Sequence, residues 1–582
     1  MSDDQRSVMN KRLVLWRYSL LFILLLLVGG LYYFQIVNVD TYVRLGANNR
    51  LRFIRYEPIR GEIVDRNGVP MAANVTTFDI MGYPLDIEKD GMIENLSLLL
   101  LRHGIPLSDE DLRREIKRQA WAPYRVVRMV SGITLAQMAE LVADPDFPQQ
   151  LFPIPVLRRT YPAGSVASNV TGFVGEINES ELRLLEEKGY VGGDQIGKTG
   201  IEKQYEGTLR GKPGGESVEV DSRGRKMRRI ASYPAGRGED LKLTLDLGAQ
   251  RLASDLLKDR RGALVVMDVH DGDVLVLASS PSYDNNPLSW GVSATEWNAL
   301  VNDPQKPMLD RSIAGLYPPA STFKALVGLA ALAEGEVSPS TVFSCSGAFT
   351  LGNRVFRCWK RTGHGGMNLL TALQYSCDIY FYQVGLKVGI TKLLKWADLL
   401  GLGKPTGIDL PGEASGVIAG PEWKKARFKE AWYKGDTVNY SIGQGFLLTT
   451  PIQLATLYAV IANGGKVVRP RLTEIAPKHS QDLNIPPAYI NIIRKGLDFV
   501  VRRGTAQRAG SFGITVAGKT GTAQNAHGAD HALFVGYAPM ENPKYVAVAM
   551  LEGGLHGGSV ASPIVGELLS YLLVPSSRVK QP

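Results

Sequence analysis

Tyr317-Pro318-Pro319-Ala320-Ser321-Thr322-Phe323-Lys324 runs into Ala325-Leu326-Val327-Gly328-Leu329-Ala330-Ala331-Leu332 and stops at Gly335. Prolines are excluded from helix interiors but suit helix entry, so a helix opens near the serine. No polar face continues beyond Phe323, as in a helix packed on all sides. Lys324 follows Ser321 by three residues and lies on the same face one turn later. A hydroxyl within reach of a desolvated lysine amine is a nucleophile beside its base, and a helix N-terminus favours developing negative charge.

A lone Ser-x-x-Lys occurs by chance about once or twice in a chain of this length. Weight comes from two further stretches downstream, in order: Ser376-Cys377-Asp378 and Lys519-Thr520-Gly521-Thr522. Lys198-Thr199-Gly200 repeats the third tripeptide upstream of the serine, in the wrong order, and reads as a decoy.

Around this helix the pattern is one of strands from both ends of a domain. Gly262–Asp268 and Asp273–Ala278 flank the turn residues Asp271-Gly272, and Ala532–Tyr537 and Tyr545–Met550 form a second pair. Ile514–Gly518 leads into Lys519, helical patterns fill the middle, and a last helix lies near Ile564–Leu573. The expected fold is α+β, an antiparallel sheet with helices on its faces. Upstream, Asn67-Gly68 is a turn between strands, Ser108–Gln119 is a serine-capped helix, and the Gly/Pro/Arg-rich passage Gly211–Gly238 reads as a join. Gly197–Glu206 has glycines but lacks phosphate-loop spacing, so nucleotide binding is rejected.

With 582 residues, 45% hydrophobic and 21% charged, the chain has ample core for several domains. A formal charge of +9 comes with no aromatic-studded basic tract, so no nucleic acid partner is expected. Tyr18–Val37 is about one bilayer span and lacks a small-residue cleavage site, which predicts an uncleaved anchor. Arg6, Lys11, Arg12 and Arg17 precede it, while Arg44, Arg50, Arg52 and Arg55 follow, so charge alone is nearly balanced. The expected layout is an inner tail (1–17), a transmembrane helix (18–37), a mixed α/β region (38–238), which the resemblance given next implies is an elongated pedestal, and a second domain (239–582), implied to be the transpeptidase domain, with the bulk of the chain outside the cytoplasmic membrane.

The three ordered motifs resemble those of class B penicillin-binding proteins, and the resemblance extends from Val37 to Leu573. Arg60–Gly68, Arg159–Pro162 and Gly200-Ile201-Glu202 look like motifs of that family's non-catalytic pedestal, and Gly443-Gln444-Gly445 like a landmark of its transpeptidase domain. The usual second motif is Ser-x-Asn. Asp378 in its place, with Trp359-Lys360 and Gly363-His364-Gly365, is most similar to the elongation-type branch. An ionised carboxylate there accepts hydrogen bonds and donates none.

The resemblance implies a D,D-transpeptidase that cross-links peptidoglycan stem peptides and is acylated by β-lactams. Ser321 is the implied nucleophile and Lys324 its base. Ser376 shuttles the proton, with Asp378 beside it, and Lys519 supplies charge. Thr520 and Thr522 hold the donor carboxylate, and Gly521 allows close backbone approach. The N–H groups of Ser321 and Thr522 form the oxyanion hole. Implied partners are the membrane, a glycan polymerase of the SEDS family and scaffold proteins of the elongation complex. A β-lactam sensor, a carboxypeptidase or a non-catalytic scaffold would share the fold. A sensor needs signalling machinery inside the membrane, and a scaffold has no need of Lys324 or Lys519.

All three cysteines, Cys345, Cys358 and Cys377, cluster with His364. A Cys3His set suits one structural zinc, and a Cys–Cys disulfide with one leftover thiol is the alternative.

Overall fold

The computed structural model describes residues 3–42, 51–83, 87, 91–119, 126–220, 226–525 and 528–574. Arg44 and Arg50, counted above as flanking charges, lie outside the described residues. The chain starts with the helix Asp3–Tyr32 and a π-turn, Tyr33–Val37. Its apolar part, Arg12–Val37, is 26 residues long with no share buried. At roughly 1.5 Å per residue this exceeds a hydrocarbon core of about 30 Å.

The pedestal is built on a sheet in the order Leu241–Lys242, Ile63–Val64, Pro70–Gly82, Val127–Ile133, with Phe152–Thr160 also paired to Pro70–Gly82. The Asn67-Gly68 turn forms as expected. Gly68 has φ 84°, and Asp65 Oδ1 accepts the N–H groups of Asn67 and Val69 at 2.8 Å each. The Gly211–Gly238 passage, expected as the join to the second domain, carries two paired strands. Gly214–Val220 and Lys226–Tyr233 form a hairpin that pairs with Leu51–Tyr56. Its third strand comes from far upstream, so the pairing leaves no local sequence signal.

The three pedestal stretches singled out in the sequence meet in one buried ion cluster. Glu202, fully buried, accepts from Arg60 Nε at 2.6 Å and Arg159 Nε at 2.7 Å, and Tyr161 Oη donates to it at 3.3 Å. Burial pushes the Glu202 carboxyl up, but Arg159 and Arg60 more than offset this and hold it below the usual carboxylate range.

The two domains share structure at their boundary. Leu241–Lys242 pairs in parallel with Ile63–Val64, and Leu247 N–H donates to Asp65 Oδ2 at 3.0 Å. The catalytic domain then runs α1 (Leu247–Leu256), β1 (Gly262–Asp268), β2 (Val274–Ser280), α2 (Lys324–Ala333), α3 (Asp378–Val388), α4 (Pro451–Ala462), α5 (Pro487–Arg503), β3 (Ala517–Ala523), β4 (His531–Ala538), β5 (Tyr545–Leu551) and α6 (Ser562–Leu573). The sheet order is β2-β1-β5-β4-β3, antiparallel throughout. Alternation along β1 sends Leu264 and Val266 into the core with α1 and α6, and Val265 and Met267 into the core with α2 and α4. Both faces are covered, which is why these strands read as unbroken apolar runs. The edge strand β3 carries Lys519 to Thr522.

Candidate active site

Ser321 does not sit in α2 itself. A single 3-10 turn, Ala320–Phe323, precedes Lys324. In 3-10 geometry residues three apart eclipse one another, so Ser321 and Lys324 stack more directly than on an α-helix. Ala320 has φ 50°, a strained value for a residue with a Cβ. What holds it is Gly443: the Ala320 N–H donates to Gly443 O at 2.8 Å, and a side chain on Gly443 would meet Ala320 O at 2.1 Å. From the sequence, Gly443 stood out only through resemblance. Its role depends on a contact with Ala320, far off in the chain.

Lys324 is fully buried, and its ammonium donates to Asp378 Oδ1 at 2.6 Å, Ser376 O at 3.0 Å and Ser376 Oγ at 3.3 Å. Ser376, at φ 53°, lies in the tight turn before α3, and Cys377 is the residue preceding that helix. Asp378 is thus turned toward the lysine. Its other oxygen accepts the Trp359 N–H at 2.9 Å.

Lys519, also fully buried, donates to Thr520 O at 3.1 Å. Burial, then the neighbouring Lys324 charge, push it well below the ordinary lysine range, with Asp378 opposing. Thr520 Oγ1 hydrogen-bonds Thr505 Oγ1 at 2.7 Å, and Gln444 Nε2 donates to Thr522 O at 3.4 Å. A Cβ on Gly521 would lie 3.2 Å from Thr322 Cγ2 and 3.3 Å from Pro319 O, so β3 packs directly on the serine's turn. The structure therefore brings Ser321, Lys324, Ser376, Asp378 and Lys519 to Thr522 together from three separate stretches. Lys198-Thr199-Gly200 lies elsewhere, with Lys198 paired to Glu181 at 2.5 Å.

Cys345, Cys358, His364 and Cys377 also converge, with their ligand atoms all within 4.8 Å of one another. His364 Nδ1 lies 3.6 Å from Cys345 Sγ and 3.5 Å from Cys358 Sγ, and all three cysteines are free thiols. Backbone geometry closes the cluster: Gly347 (φ 91°) and Gly363 (φ 78°) approach so closely that a side chain on either would meet backbone at about 2 Å. Three buried thiols and a half-buried imidazole, mutually adjacent, fit a four-coordinate soft-metal site with no open position.

The penicillin binding protein transpeptidase domain family matches residues 262–570, and the penicillin-binding protein dimerisation domain family matches residues 55–243. The chain is 35% identical to the peptidoglycan D,D-transpeptidase MrdA of Haemophilus influenzae, over 98% of this chain and 92% of that one. Among solved structures it is similar to the penicillin-binding protein PBP2 of Helicobacter pylori in complex with MreC, at 32% identity and a TM-score of 0.80, covering 90% of this chain and 99% of that one. It is also similar to a chain from a peptidoglycan synthase complex described as coordinating polymerization and crosslinking, at 29% identity and a TM-score of 0.75, covering 96% and 97%.

Proposed function

The chain belongs to the penicillin-binding protein transpeptidase family and is a peptidoglycan D,D-transpeptidase, and on that premise we propose that it works through a Ser321 acyl-enzyme during wall elongation. The observation that carries the mechanism is the convergence of Lys324, Ser376 and Lys519 on the strained turn that presents Ser321. Ser321 Oγ attacks the carbonyl of the penultimate D-alanine and its proton goes to Lys324 Nζ. As an ammonium, Lys324 donates all three protons, to Ser376 O, Ser376 Oγ and Asp378. As a neutral amine it has a lone pair, and the Ser376 contact is the one that reverses, because a hydroxyl both donates and accepts. Ser376 then passes the proton to the leaving D-alanine amine. The ester on Ser321 is taken by the amine of a neighbouring stem. Lys519, held toward its neutral form while the site is free of substrate, gains a proton-stabilising partner when the donor carboxylate settles against Thr520 and Thr522. A β-lactam acylates the same serine. Mass spectrometry of the full-length protein after penicillin treatment should find one acyl group, on the peptide containing Ser321. An acyl group elsewhere, or one that persists in Ser321→Ala, rules the assignment out.

The apolar helix serves as a single-pass anchor with the short N-terminus inside and both domains outside. A glycan polymerase of the SEDS class and a scaffold protein are the partners this reading expects, supported by the MreC complex of the similar PBP2 chain and by the peptidoglycan synthase complex that holds the other similar chain. Co-purification in detergent should depend on residues 1–238, and a truncated chain that binds the polymerase equally well would overturn the expectation.

The cysteine cluster holds one structural zinc in this reading. Bound there, zinc supplies a rigid cross-link and no chemistry of its own. The residues explain why that matters to the site: Cys377 lies between Ser376 and Asp378, and Cys358 directly precedes the Trp359 N–H that Asp378 accepts. Ordering the cluster orders both sides of Asp378. One zinc per chain is expected, and its removal by a chelator should lower the thermal midpoint and slow penicillin acylation together. A metal-free preparation with a Cys345–Cys358 disulfide and normal acylation refutes the site.

A further inference from the structure

Beside the catalytic turn is a group of aromatic side chains that the chemistry above does not use. The helix Pro421–Phe428 and the residues after it place Trp423, Phe428, Trp432 and Tyr433 around Phe446. Ring centroids are 5.5 Å apart for Trp423–Phe446, 5.3 Å for Phe428–Phe446 and 6.5 Å for Trp432–Phe446. Phe428 is 47% exposed and Tyr433 61%, a large apolar area to leave in water. The rings are not loosely placed. Lys424, only 4% exposed, pairs with Asp436 at 2.7 Å and sits 4.8 Å from the Tyr433 ring and 5.7 Å from the Phe446 ring. Trp432 Nε1 donates to Thr437 Oγ1 at 2.9 Å. A buried lysine is an expensive way to support surface residues unless their arrangement matters.

The group is linked to the catalytic turn, since Trp432 packs on Tyr440 and Tyr440 on Phe323, with ring centroids 6.3 Å and 5.5 Å apart. Phe446 follows Gln444 by two residues, which limits their Cα separation to roughly 7 Å. Gln444 itself reaches Thr522 on β3, and Gly443 holds Ala320 next to the nucleophile. The surrounding charge is mainly basic: Lys425, Arg427, Lys429 and Lys434 are exposed, against Glu422 and Glu430.

We infer that these rings form a saccharide-binding shelf that seats the glycan strand of peptidoglycan while its stem peptide reaches Ser321. This rests on the transpeptidase reading above. Aromatic faces suit the apolar C–H faces of pyranose rings while leaving the sugar hydroxyls in water, and an amphipathic ring such as Tyr433 suits that boundary. The basic rim complements the carboxylates of neighbouring stems.

The probe is an amidase-stripped peptidoglycan hexasaccharide, which has no stem and cannot enter the acylation chemistry. It is titrated into the full-length protein in detergent, with tryptophan fluorescence and protein-observed calorimetry as readouts. Saturable binding is expected, weakened roughly tenfold in Phe428→Ala and in Tyr433→Ala, since truncating an aromatic anchor commonly costs that much affinity. Tyr433→Phe, which keeps the ring, should bind like the parent, and thermal midpoints report that each variant is folded. Ser321→Ala should bind the hexasaccharide normally. No saturable binding, or equal binding by a folded Phe428→Ala/Tyr433→Ala double variant, overturns the shelf. Failure of penicillin to acylate the unaltered protein would count against the proposed function and leaves this binding readout independent.

Discussion

Replacing Lys324 by alanine is expected to slow penicillin acylation of Ser321 by about 10²–10⁴-fold, the usual loss when a positioned general base is removed. The same variant should lose about 3–5 kcal/mol of stability, because it leaves a charge without its buried partner. From the sequence alone, Lys324→Ala looks structurally harmless, since alanine suits the run that follows. The structure argues otherwise. Lys324 is fully buried and ion-paired with Asp378 at 2.6 Å, so its removal leaves that carboxylate, among the described residues, with the Trp359 N–H as its remaining hydrogen bond. Ser321→Ala removes a partly exposed hydroxyl and should keep parental stability while losing acylation entirely. The double variant Lys324→Met/Asp378→Asn separates the two effects, since it neutralises both charges together and should recover much of the stability but none of the acylation. Stopped-flow acylation with a chromogenic β-lactam and thermal unfolding give the two readouts. A Lys324→Ala protein that acylates at the parental rate would remove the lysine from the mechanism, and one with an unchanged thermal midpoint would show that the pair carries little energy.

Glu202→Gln is the second substitution with a large expected effect, far from the nucleophile. It keeps the shape of the side chain but leaves the Arg159 guanidinium facing Gly61 O and Asn74 without a carboxylate, while Arg60 retains Glu206 at 2.7 Å. A loss of about 3–5 kcal/mol is expected, because both ion pairs to Glu202 are lost and Arg159 is left buried without a carboxylate. The pH sign follows from the lowered Glu202 pKa. The stabilisation is fully present above the unfolded carboxyl value of about 4.3 and is lost as pH falls through the lower folded value. Parent and variant therefore differ at neutral pH and converge in acid. The cluster also bears on the domain junction, because Trp290 Nε1 donates to Arg159 O at 2.8 Å and Tyr161 N–H donates to Asn286 Oδ1 at 2.8 Å. One face of the catalytic sheet shares its core with the pedestal through Ile63, Tyr161 and Ile201, whereas the face under α1 and α6 has a core of its own, so loosening the cluster should reach the shared face first. Equal thermal midpoints for parent and Glu202→Gln at neutral pH would show that the cluster is not a stabilising element.

Much of this was legible in the residues because it is local. The apolar runs of β1 and β5, the Asp271-Gly272 and Asn67-Gly68 turns, the all-apolar helix α2 and the membrane-length stretch each follow from periodicity, turn chemistry or length. The order of the three motifs pointed to one site, and the clustering of the cysteines with His364 pointed to a second group of side chains that the fold brings together. What only the tertiary structure decided is how these pieces face one another. That Asp378 turns to Lys324, that Gly443 holds the strained Ala320, that Glu202 joins Arg60 to Arg159, and that Gly214–Val220 pairs with Leu51–Tyr56 are all contacts between residues far apart in the chain. Local propensity carries no information about such contacts, because their energy comes from burial and charge pairing that exist only once distant segments have packed together.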